Sequence, residues 1–187
     1  MPRNTEIKIR FQDEVRFLAI EKKAIELGLP TRLLQEDTYY PSRGYGQRNK
    51  LRIDEYQDGS GKVVAEMISY KRNDDENCRQ SLYAKSPVPD VEDTKKKMTA
   101  VYGPAEVVVV KMRKVVIYDQ TRIHLDKLAG LDDRPYFLEL EVMLDDNQSH
   151  EDGQRISDFV LDRLGITQEE RTKQVERGSY RELLMLK

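Results

Sequence analysis

Charged and apolar side chains alternate with a period of two along several segments of this chain. In residues 6–11 a charged side chain comes at every second position, and apolar side chains fill the places between. Because side chains alternate between the two faces of a β-strand, this period predicts strands with one polar and one apolar face. The positions that share a polar face are Glu6/Lys8/Arg10, Lys50/Arg52, Tyr70/Arg72, Lys111/Arg113, Arg122/His124/Asp126 and Glu139/Glu141.

A charged strand face has an ordinary explanation and a functional one. One face of an antiparallel sheet usually meets water, which accounts for any single pair such as Lys50 and Arg52. The same spacing of Lys and Arg recurs on three predicted strands, however, and Glu139 and Glu141 lie within an otherwise apolar segment, residues 136–144. Cations gathered with a few carboxylates from several strands are what a polyphosphate and its metal ion require.

The length and charge of the chain limit its class. Its 187 residues suit one domain that buries most of its apolar surface, and we expect a single domain over residues 1–187. Charged residues make up 35% and hydrophobic residues 38%, which is polar but compatible with a folded protein. The 32 basic and 34 acidic residues nearly cancel, so we expect no duplex nucleic acid as a partner.

Cysteine content and hydropathy indicate the compartment. Cys78 is the only cysteine, which excludes an intramolecular disulfide and a cysteine-based metal site. No apolar signal region precedes the first predicted strand, and the longest aliphatic run, residues 107–110, is far too short to span a membrane. We therefore expect a soluble, cytoplasmic protein with no membrane partner.

Strand signals dominate, and helical periods fit between or after them. Asp13 is the predicted N-cap of the first helix, and two later helices begin with capping boxes at Ser149 and Thr167. The apolar stripe of the first helix is Phe17, Ile20, Ala24 and Leu27, and that of the third is Ile156, Phe159, Val160 and Leu164. The predicted strands are residues 5–12, 34–40, 49–56, 62–72, 79–84, 105–118, 121–127 and 135–144, and the first two helices are residues 13–27 and 90–102.

About eight strands with few helices favour a sheet that closes on itself. An eight-stranded barrel has an interior wide enough for one small ligand, and closure removes exposed strand edges. If the charged faces point inward, the helices cover apolar outer faces and the interior is a hydrated, charged tunnel. The expected fold class is therefore α+β, an eight-stranded antiparallel β-barrel with flanking helices. Without the charge pattern, a two-layer α+β sandwich would be the first expectation.

A series of short motifs runs along nearly the whole chain, at residues 6–10 (EIKIR), 35–39 (QEDTY), 50–52 (KLR), 68–72 (ISYKR), 111–113 (KMR), 122–126 (RIHLD), 128–131 (LAGL), 137–141 (FLELE) and 178–180 (GSY). Together these motifs resemble one protein family, the CYTH superfamily of triphosphate tunnel metalloenzymes, and within it the class IV adenylate cyclase-like branch. Lys8 departs from the pattern, because many members have a second glutamate at this position. The turn after Gly130 is also longer here than the family's G-L-G-x-F turn.

The resemblance implies an antiparallel tunnel that binds a triphosphate together with Mg²⁺ or Mn²⁺. Family members include adenylate cyclases, thiamine triphosphatases, inorganic tripolyphosphatases and RNA triphosphatases. The expected metal ligands are Glu6, Glu139 and Glu141. The expected substrate-binding residues are Arg10, Lys50, Arg72, Lys111, Arg113, Arg122 and His124, and the expected catalytic residues are Asp126, Arg52 and Lys8.

Several of these residues have a structural alternative. The three glutamates neutralise neighbouring Lys and Arg if no metal binds. His124 either contacts phosphate or base, or forms a structural pair with a nearby acid. Packing is the favoured role for the rings of Tyr39, Tyr70 and Tyr83, with hydroxyl contacts to a ligand as the alternative.

Three functions remain open at this stage. The leading hypothesis is a metal-dependent phosphohydrolase acting on a small triphosphate, namely ATP, tripolyphosphate or thiamine triphosphate. The first alternative is an adenylate cyclase that converts ATP to cyclic AMP and pyrophosphate, which additionally requires a pocket for adenine. The second is a binding protein that senses polyphosphate or nucleotide without turnover. Amphipathic C-terminal helices leave a homodimer open.

Overall fold

The computed structural model describes residues 3–41, 47–72 and 79–186, and for residues 71, 72 and 79–83 it describes the backbone only. The strands of this part of the chain are β1 (Arg3–Arg10), β2 (Thr31–Tyr40), β3 (Gln47–Tyr56), β4 (Val63–Arg72), β5 (Arg79–Pro87), β6 (Val107–Tyr118), β7 (Thr121–Leu128) and β8 (Tyr136–Leu144). The helices are α1 (Glu14–Leu27), α2 (Val91–Tyr102), α3 (His150–Leu164), α4 (Gln168–Lys173) and α5 (Tyr180–Met185).

The strands form a closed antiparallel barrel in the order β1-β5-β4-β3-β2-β6-β7-β8. Closure depends on β1, which pairs with β5 along one edge and with β8 along the other. The predicted eight-stranded barrel with flanking helices is therefore confirmed. The register places Lys8 opposite Glu139 and Glu6 opposite Glu141, so predicted cations and carboxylates become cross-strand neighbours.

The main hydrophobic core lies outside the barrel, between its outer face and helices α1 and α3. Apolar residues that alternate with the charged ones, including Ile9 and Leu138, are fully buried there. Burying an aliphatic side chain of this size contributes about 1.5–3 kcal/mol, so the core stabilises the arrangement that turns the charges inward. The helix side of this core consists of Phe17, Ile20, Ala24, Val160, Leu161 and Leu164.

Helix starts follow the predicted capping residues. The Asp13 side chain accepts a hydrogen bond from Arg16 N, and both predicted capping boxes, at Ser149 and Thr167, are present. The sequence prediction omitted α5, although Ser179 and Glu182 form a third capping box at its start. A six-residue helix contains too little apolar periodicity to be recognised from sequence.

The inward face of α3 differs from the prediction at one position. Phe159 is 54% exposed, whereas its neighbours Val160 and Leu161 are buried. The physical reason is the close approach of α3 to β1, where a Cβ atom on Gly153 would collide with the Thr5 side chain. This contact turns the Gly153, Ser157 and Leu161 side of the helix toward the barrel.

No helix in the described ranges is long and apolar enough to cross a membrane.

Candidate functional site

The interior of the barrel contains a cavity of about 260 Å³ that is lined mainly by charged side chains. These side chains belong to the inward faces of all eight strands, and Ser179 and Tyr180 contribute from the C-terminal segment. The cations are Lys8, Lys50, Arg52, Lys85, Lys111, Arg113 and Arg122, and the carboxylates are Glu6, Asp37, Asp54, Glu139 and Glu141.

Asp37 lies at the centre of a cluster of three cations. Arg52 donates two hydrogen bonds to its carboxylate, at 2.7 and 2.8 Å, and Lys50 Nζ lies 3.0 Å from Oδ2. Lys111 Nζ lies 3.7 Å from the same oxygen. Burial disfavours the charged carboxylate, but the positive charges of Arg52 and Lys50 outweigh burial and hold the pKa of Asp37 well below its usual value.

Burial lowers the pKa values of both lysines in this cluster. Burial, followed by the charge of Arg113, lowers the pKa of Lys111 to about 7. Burial and the charge of Arg52 lower the pKa of Lys50 to about 8. One buried carboxylate thus supports more positive charge than it can neutralise, and an entering anion would be stabilised there.

A second group of charges connects β6, β7 and β8. Arg113 donates to both carboxylate oxygens of Asp126, at 2.7 and 2.6 Å, and its Nη2 also donates to Glu139 Oε2 at 2.9 Å. Tyr180 OH donates to Asp126 Oδ2 at 2.7 Å. Asp126 is fully buried behind Arg113, so this geometry favours a role in orienting the guanidinium rather than direct contact with a reacting water.

Glu6 and Glu141 form a like-charged cross-strand pair that one amide holds together. Asn4 Nδ2 donates to Glu6 Oε1 at 3.0 Å and to Glu141 Oε1 at 2.7 Å. The side-chain amide oxygen of Asn4, Oδ1, is buried and accepts no hydrogen bond within the described structure. Two carboxylates and an amide oxygen are hard donors that suit Mg²⁺ or Mn²⁺, because Mg²⁺ commonly binds through one or two carboxylates plus substrate phosphates.

Glu139 lies between its two cross-strand neighbours, Lys8 on β1 and His124 on β7. Lys8 Nζ lies 3.5 Å from its Oε1, and His124 Nδ1 lies 3.5 Å from its Oε2, where Arg113 also binds. Consistent with this, no three His, Cys, Asp or Glu side chains of the described residues converge tightly enough to form a metal site by themselves. The predicted Glu6, Glu139 and Glu141 set therefore lines one cavity, but it would need phosphate oxygens to complete a coordination shell.

One predicted residue, Arg10, lies elsewhere than expected, whereas His124 lies in the cavity as expected. Arg10 donates to the backbone oxygens of Asp133 and Arg134 and contacts the ring of Phe137, so it is bound at the end of β1 and does not line the cavity. His124 does line it, and burial together with the charge of Arg113 lowers its pKa. The side chains of Arg72 and Tyr83, and all of Cys78, lie outside the described residues.

Several residues of the cavity were missed by sequence reasoning. Asp54 is the next inward residue after Arg52 on β3, so continuing the period of two along this strand would have found it. Asp37 lies on β2, for which no polar face was predicted. Tyr180 belongs to the GSY segment, but its place could not be inferred from spacing. Its ring lies 4.3 Å from Lys8 Nζ and 4.7 Å from Lys111 Nζ, measured to the ring centroid. The other missed polar or charged residues are Asn4, Gln35, Lys85 and Ser179, and the missed apolar ones are Leu33, Ile68 and Val115.

Comparison with known proteins agrees with this architecture. The PH1819 protein of Pyrococcus horikoshii OT3 is 22% identical and superposes with a TM-score of 0.77 over 98% of both chains. A candidate adenylate cyclase from Vibrio parahaemolyticus is 18% identical, with a TM-score of 0.69 over 97% of both chains. The Hippeastrum protein HpAC1, a candidate adenylyl cyclase described as having a dominant triphosphatase activity, is 12% identical, with a TM-score of 0.56 over 87% of this chain and 88% of its own.

At these identities the solved structures establish the fold alone, and no curated protein sequence matches the chain. The family follows from a different comparison, because the sequence model of the CYTH domain matches residues 2–179. With the closed barrel and its charged interior, this match establishes that the chain belongs to the CYTH family.

Proposed function

We propose that this protein binds a triphosphate in its tunnel and hydrolyses a phosphoanhydride bond with the help of Mg²⁺ or Mn²⁺. The observation that carries the proposal is the convergence of five buried or half-buried cations on one cavity. A triphosphate offers several negative charges along a short chain, which matches such a row of donors. The cations are Lys8, Lys50, Arg52, Lys111 and Arg113.

The side chains divide the work by their chemistry. Arg52 and Arg113 present planar guanidinium groups that suit paired hydrogen bonds to non-bridging oxygens, whereas the lysines act as compact charges. Their own carboxylate partners, Asp37 and Asp126, hold both guanidinium groups in fixed directions before a ligand arrives. Phosphoryl transfer requires mainly this kind of positioning and charge stabilisation from a protein.

The carboxylates that β1 and β8 place in the tunnel suit a divalent cation. Glu6, Glu141 and the amide oxygen of Asn4 are the residues that would hold it, with Glu139 close by. Such an ion would supply positive charge that offsets the charge of the phosphate chain and of the leaving group.

An adenylate cyclase is the second candidate, and a non-catalytic polyphosphate sensor is the third. The likeness to the Vibrio parahaemolyticus protein favours the cyclase, and the dominant triphosphatase activity of HpAC1 favours hydrolysis. Hydrolysis also requires fewer features than cyclisation. It needs bound phosphates, a bound ion and one oriented water, whereas cyclisation needs a pocket for adenine as well. Lys8 is the feature that favours a sensor. Many family members have an acidic residue at this position, whereas Lys8 pairs with the carboxylate of Glu139.

Phosphorus NMR of the products separates the three functions. The purified protein would be incubated with ATP and, separately, with inorganic tripolyphosphate, first with Mg²⁺ and then with Mn²⁺. We expect orthophosphate together with a diphosphate product. Cyclic AMP with pyrophosphate would identify a cyclase instead, and unchanged substrates under all four conditions would leave a binding protein.

A double variant tests the assignment of the metal. Glu139→Gln with Glu141→Gln removes two charges while keeping side-chain size, so we expect loss of turnover by at least about a hundredfold with an unchanged circular dichroism spectrum. The exposed Glu151→Gln is the matched control and should retain the wild-type rate. Full activity in the double variant would show that neither carboxylate binds the ion.

A further inference from the structure

Lys111 is a buried cation that receives little support from carboxylates. Its side chain is 3% exposed, and its ammonium donates no hydrogen bond to any of the described residues. Its ion pair with Asp37 spans 3.7 Å, and the same carboxylate already accepts shorter hydrogen bonds from Lys50 and Arg52. Because a buried charge without close partners is costly, another group must stabilise this ammonium.

The ring of Tyr180 is the other group that contacts the Lys111 ammonium. Lys111 Nζ lies 4.7 Å from the centroid of this ring. The face of an aromatic ring carries partial negative charge and attracts a cation, most strongly where water is excluded. The ring has no net charge, so it stabilises the ammonium without neutralising it. The N–H groups of Lys111 consequently stay free for the oxygen atoms of a bound anion.

Lys8 lies over the same ring but depends on it less. Lys8 Nζ is 4.3 Å from the centroid of the Tyr180 ring. It also donates a hydrogen bond to Gly178 O at 3.4 Å and lies 3.5 Å from Glu139 Oε1. Because Lys8 has a carboxylate and a carbonyl oxygen of its own, a weaker ring contact should affect Lys111 more strongly.

Contacts on several sides fix the ring of Tyr180. Its hydroxyl donates to Asp126 Oδ2 at 2.7 Å, and its edge packs against Phe137 with 5.0 Å between ring centroids. Tyr180 is the first residue of α5, whose start is fixed by the capping box of Ser179 and Glu182. Burial and the charge of Asp126 hold the pKa of Tyr180 well above its usual value, so the side chain stays a neutral phenol near pH 7.

Cations outnumber carboxylates around Lys111. Burial, followed by the charge of Arg113, lowers its pKa to about 7, so the ammonium and the neutral amine are both populated near neutral pH. In such a balance a single contact changes how often the lysine carries its charge. The charged groups that face Lys111 are the carboxylates of Asp37 and Asp126 and the cations of Lys8, Lys50, Arg52 and Arg113.

We propose that Tyr180 is a positioning residue of the tunnel, whose ring face keeps the buried Lys111 in its charged form for binding of the phosphate chain. This inference rests on the proposed function, since it assumes that a triphosphate binds in the tunnel. It gives the C-terminal segment a part in anion binding, although this segment belongs to none of the barrel strands.

Fluorinated aromatic residues test the role of the ring face. Fluorine withdraws electrons from the ring face and weakens its attraction for a cation, while the ring keeps nearly the same shape. Phenylalanine, difluorophenylalanine and pentafluorophenylalanine would each replace Tyr180 in the full chain. Titration calorimetry with inorganic tripolyphosphate, with EDTA present to prevent metal-dependent turnover, measures the affinity of each variant.

The expected effect depends on pH. At about pH 8, where Lys111 is mostly neutral, the pentafluorinated variant should bind tripolyphosphate about tenfold more weakly than Tyr180→Phe. At about pH 5.5 the lysine is protonated in every variant, so the difference should fall within about twofold. Protonation of tripolyphosphate itself cancels in these ratios. Tyr180→Phe should stay within about threefold of wild type, because the ring remains and Arg113 still holds Asp126.

Two controls separate this role from packing. Tyr56 contacts Lys62, whose Nζ lies 4.4 Å from the ring centroid, outside the cavity, and the same three replacements there should leave the affinity unchanged. In a Lys111→Arg background the cation is charged at every pH tested, so fluorination of residue 180 should change the affinity at about pH 8 by less than about twofold.

Several outcomes would overturn the role of Tyr180 while leaving triphosphate binding intact. They are equal affinities of the three variants at about pH 8, an equal loss at both pH values, a loss in Tyr180→Phe as large as in the pentafluorinated variant, and a fluorine effect that persists with Lys111→Arg. Failure of the wild type to bind tripolyphosphate at either pH would overturn the proposed function itself, and the role of Tyr180 with it.

Discussion

Lys111 is the residue at which charge and burial oppose each other most directly. Its ammonium lies between Asp37 and the ring of Tyr180 and is 3% exposed. Burial lowers its pKa to about 7, and Arg113 on the same strand adds to the effect. The groups that face it from the surrounding elements are Asp37 on β2, Lys50 and Arg52 on β3, Asp126 on β7 and Tyr180 on α5.

Affinity for an anion should therefore fall as the pH rises. An ammonium whose pKa is about 7 is mostly neutral above that pH, and only the charged form attracts phosphate. We expect the dissociation constant for tripolyphosphate to rise by up to about tenfold per pH unit above pH 7 for each lysine that must be protonated. Calorimetry between about pH 6.5 and 9 measures this dependence.

Lys111→Arg supplies the comparison, because a guanidinium stays charged over the whole range. The variant should show a flatter profile between about pH 7 and 8, with Lys50 still titrating near 8. Protonation of tripolyphosphate is common to both proteins and cancels in their ratio. Lys114→Arg, on the outer face of the same strand, should behave as wild type. Identical profiles for Lys111→Arg and wild type would contradict the role assigned to Lys111.

At the scale of elements, the shortest helices depend most on side-chain caps. α4 has six residues and would be unstable alone, because helix nucleation is costly. Its Glu170 accepts from Thr167 N at 2.8 Å, and it also receives two hydrogen bonds from Arg16 of α1, at 2.6 and 2.8 Å. Glu170 thus connects the start of α4 to the first helix of the chain.

Glu170→Gln should destabilise the protein by about 1–3 kcal/mol at neutral pH, as expected for loss of charge-assisted hydrogen bonds. The pKa of Glu170 is lowered to about 2, mainly by the Arg16 hydrogen bond. A carboxyl whose pKa is lowered by folding stabilises the folded state at pH values above its pKa in the unfolded chain. The difference in unfolding free energy between wild type and variant should therefore shrink as the pH falls from about 4.5 toward 2. Urea unfolding at several pH values measures it.

Glu169→Gln is the control for this prediction. Glu169 is 70% exposed and pairs only with Lys173 one turn away among the contacts described, so its loss should cost less than about 0.5 kcal/mol. If the two substitutions destabilise the protein equally, the contact between α1 and α4 does not contribute as the geometry indicates.

At the scale of the whole molecule, closure of the barrel allows one bound ligand to stabilise most of its strands at once. The cations of the tunnel come from β1, β3, β5, β6 and β7, and the carboxylates also come from β2 and β8. A bound triphosphate would therefore contact strands that are far apart in sequence. Like charges that face one another across the tunnel would be neutralised at the same time.

Tripolyphosphate should consequently raise the melting temperature. At a ligand concentration of about one hundred times the dissociation constant, binding stabilises the folded state by about 2.7 kcal/mol, which corresponds to about 5–10 °C for a chain of this length. Differential scanning calorimetry measures the shift. Sulfate at equal ionic strength is the control, and an equal shift with sulfate would indicate general anion binding instead of a triphosphate site.

The sequence by itself determined which residues could face the tunnel. Side-chain alternation in strands is a local property, so Lys50, Arg52, Lys111 and Arg113 could be assigned to inward faces without knowledge of strand order. Capping residues are local as well, which is why the starts of α1, α3 and α4 were predicted and the short α5 was the one helix start missed. The apolar faces of the same strands had to be covered by helices, so the charged faces were expected inside the barrel and the apolar core outside it.

Only the tertiary structure decided which charges meet. Register places Glu139 beside Lys8 and His124, and it places Glu6 beside Glu141, because β8 pairs with β1 along one edge and with β7 along the other. Asp126 meets Arg113 across the β6–β7 pair, where register brings the two side chains together. The departure of Arg10 from the cavity and the exposure of Phe159 follow from packing between segments that are far apart in the sequence. Such contacts join residues more than a hundred positions apart, as with Arg10 and Arg134, and no local pattern encodes them.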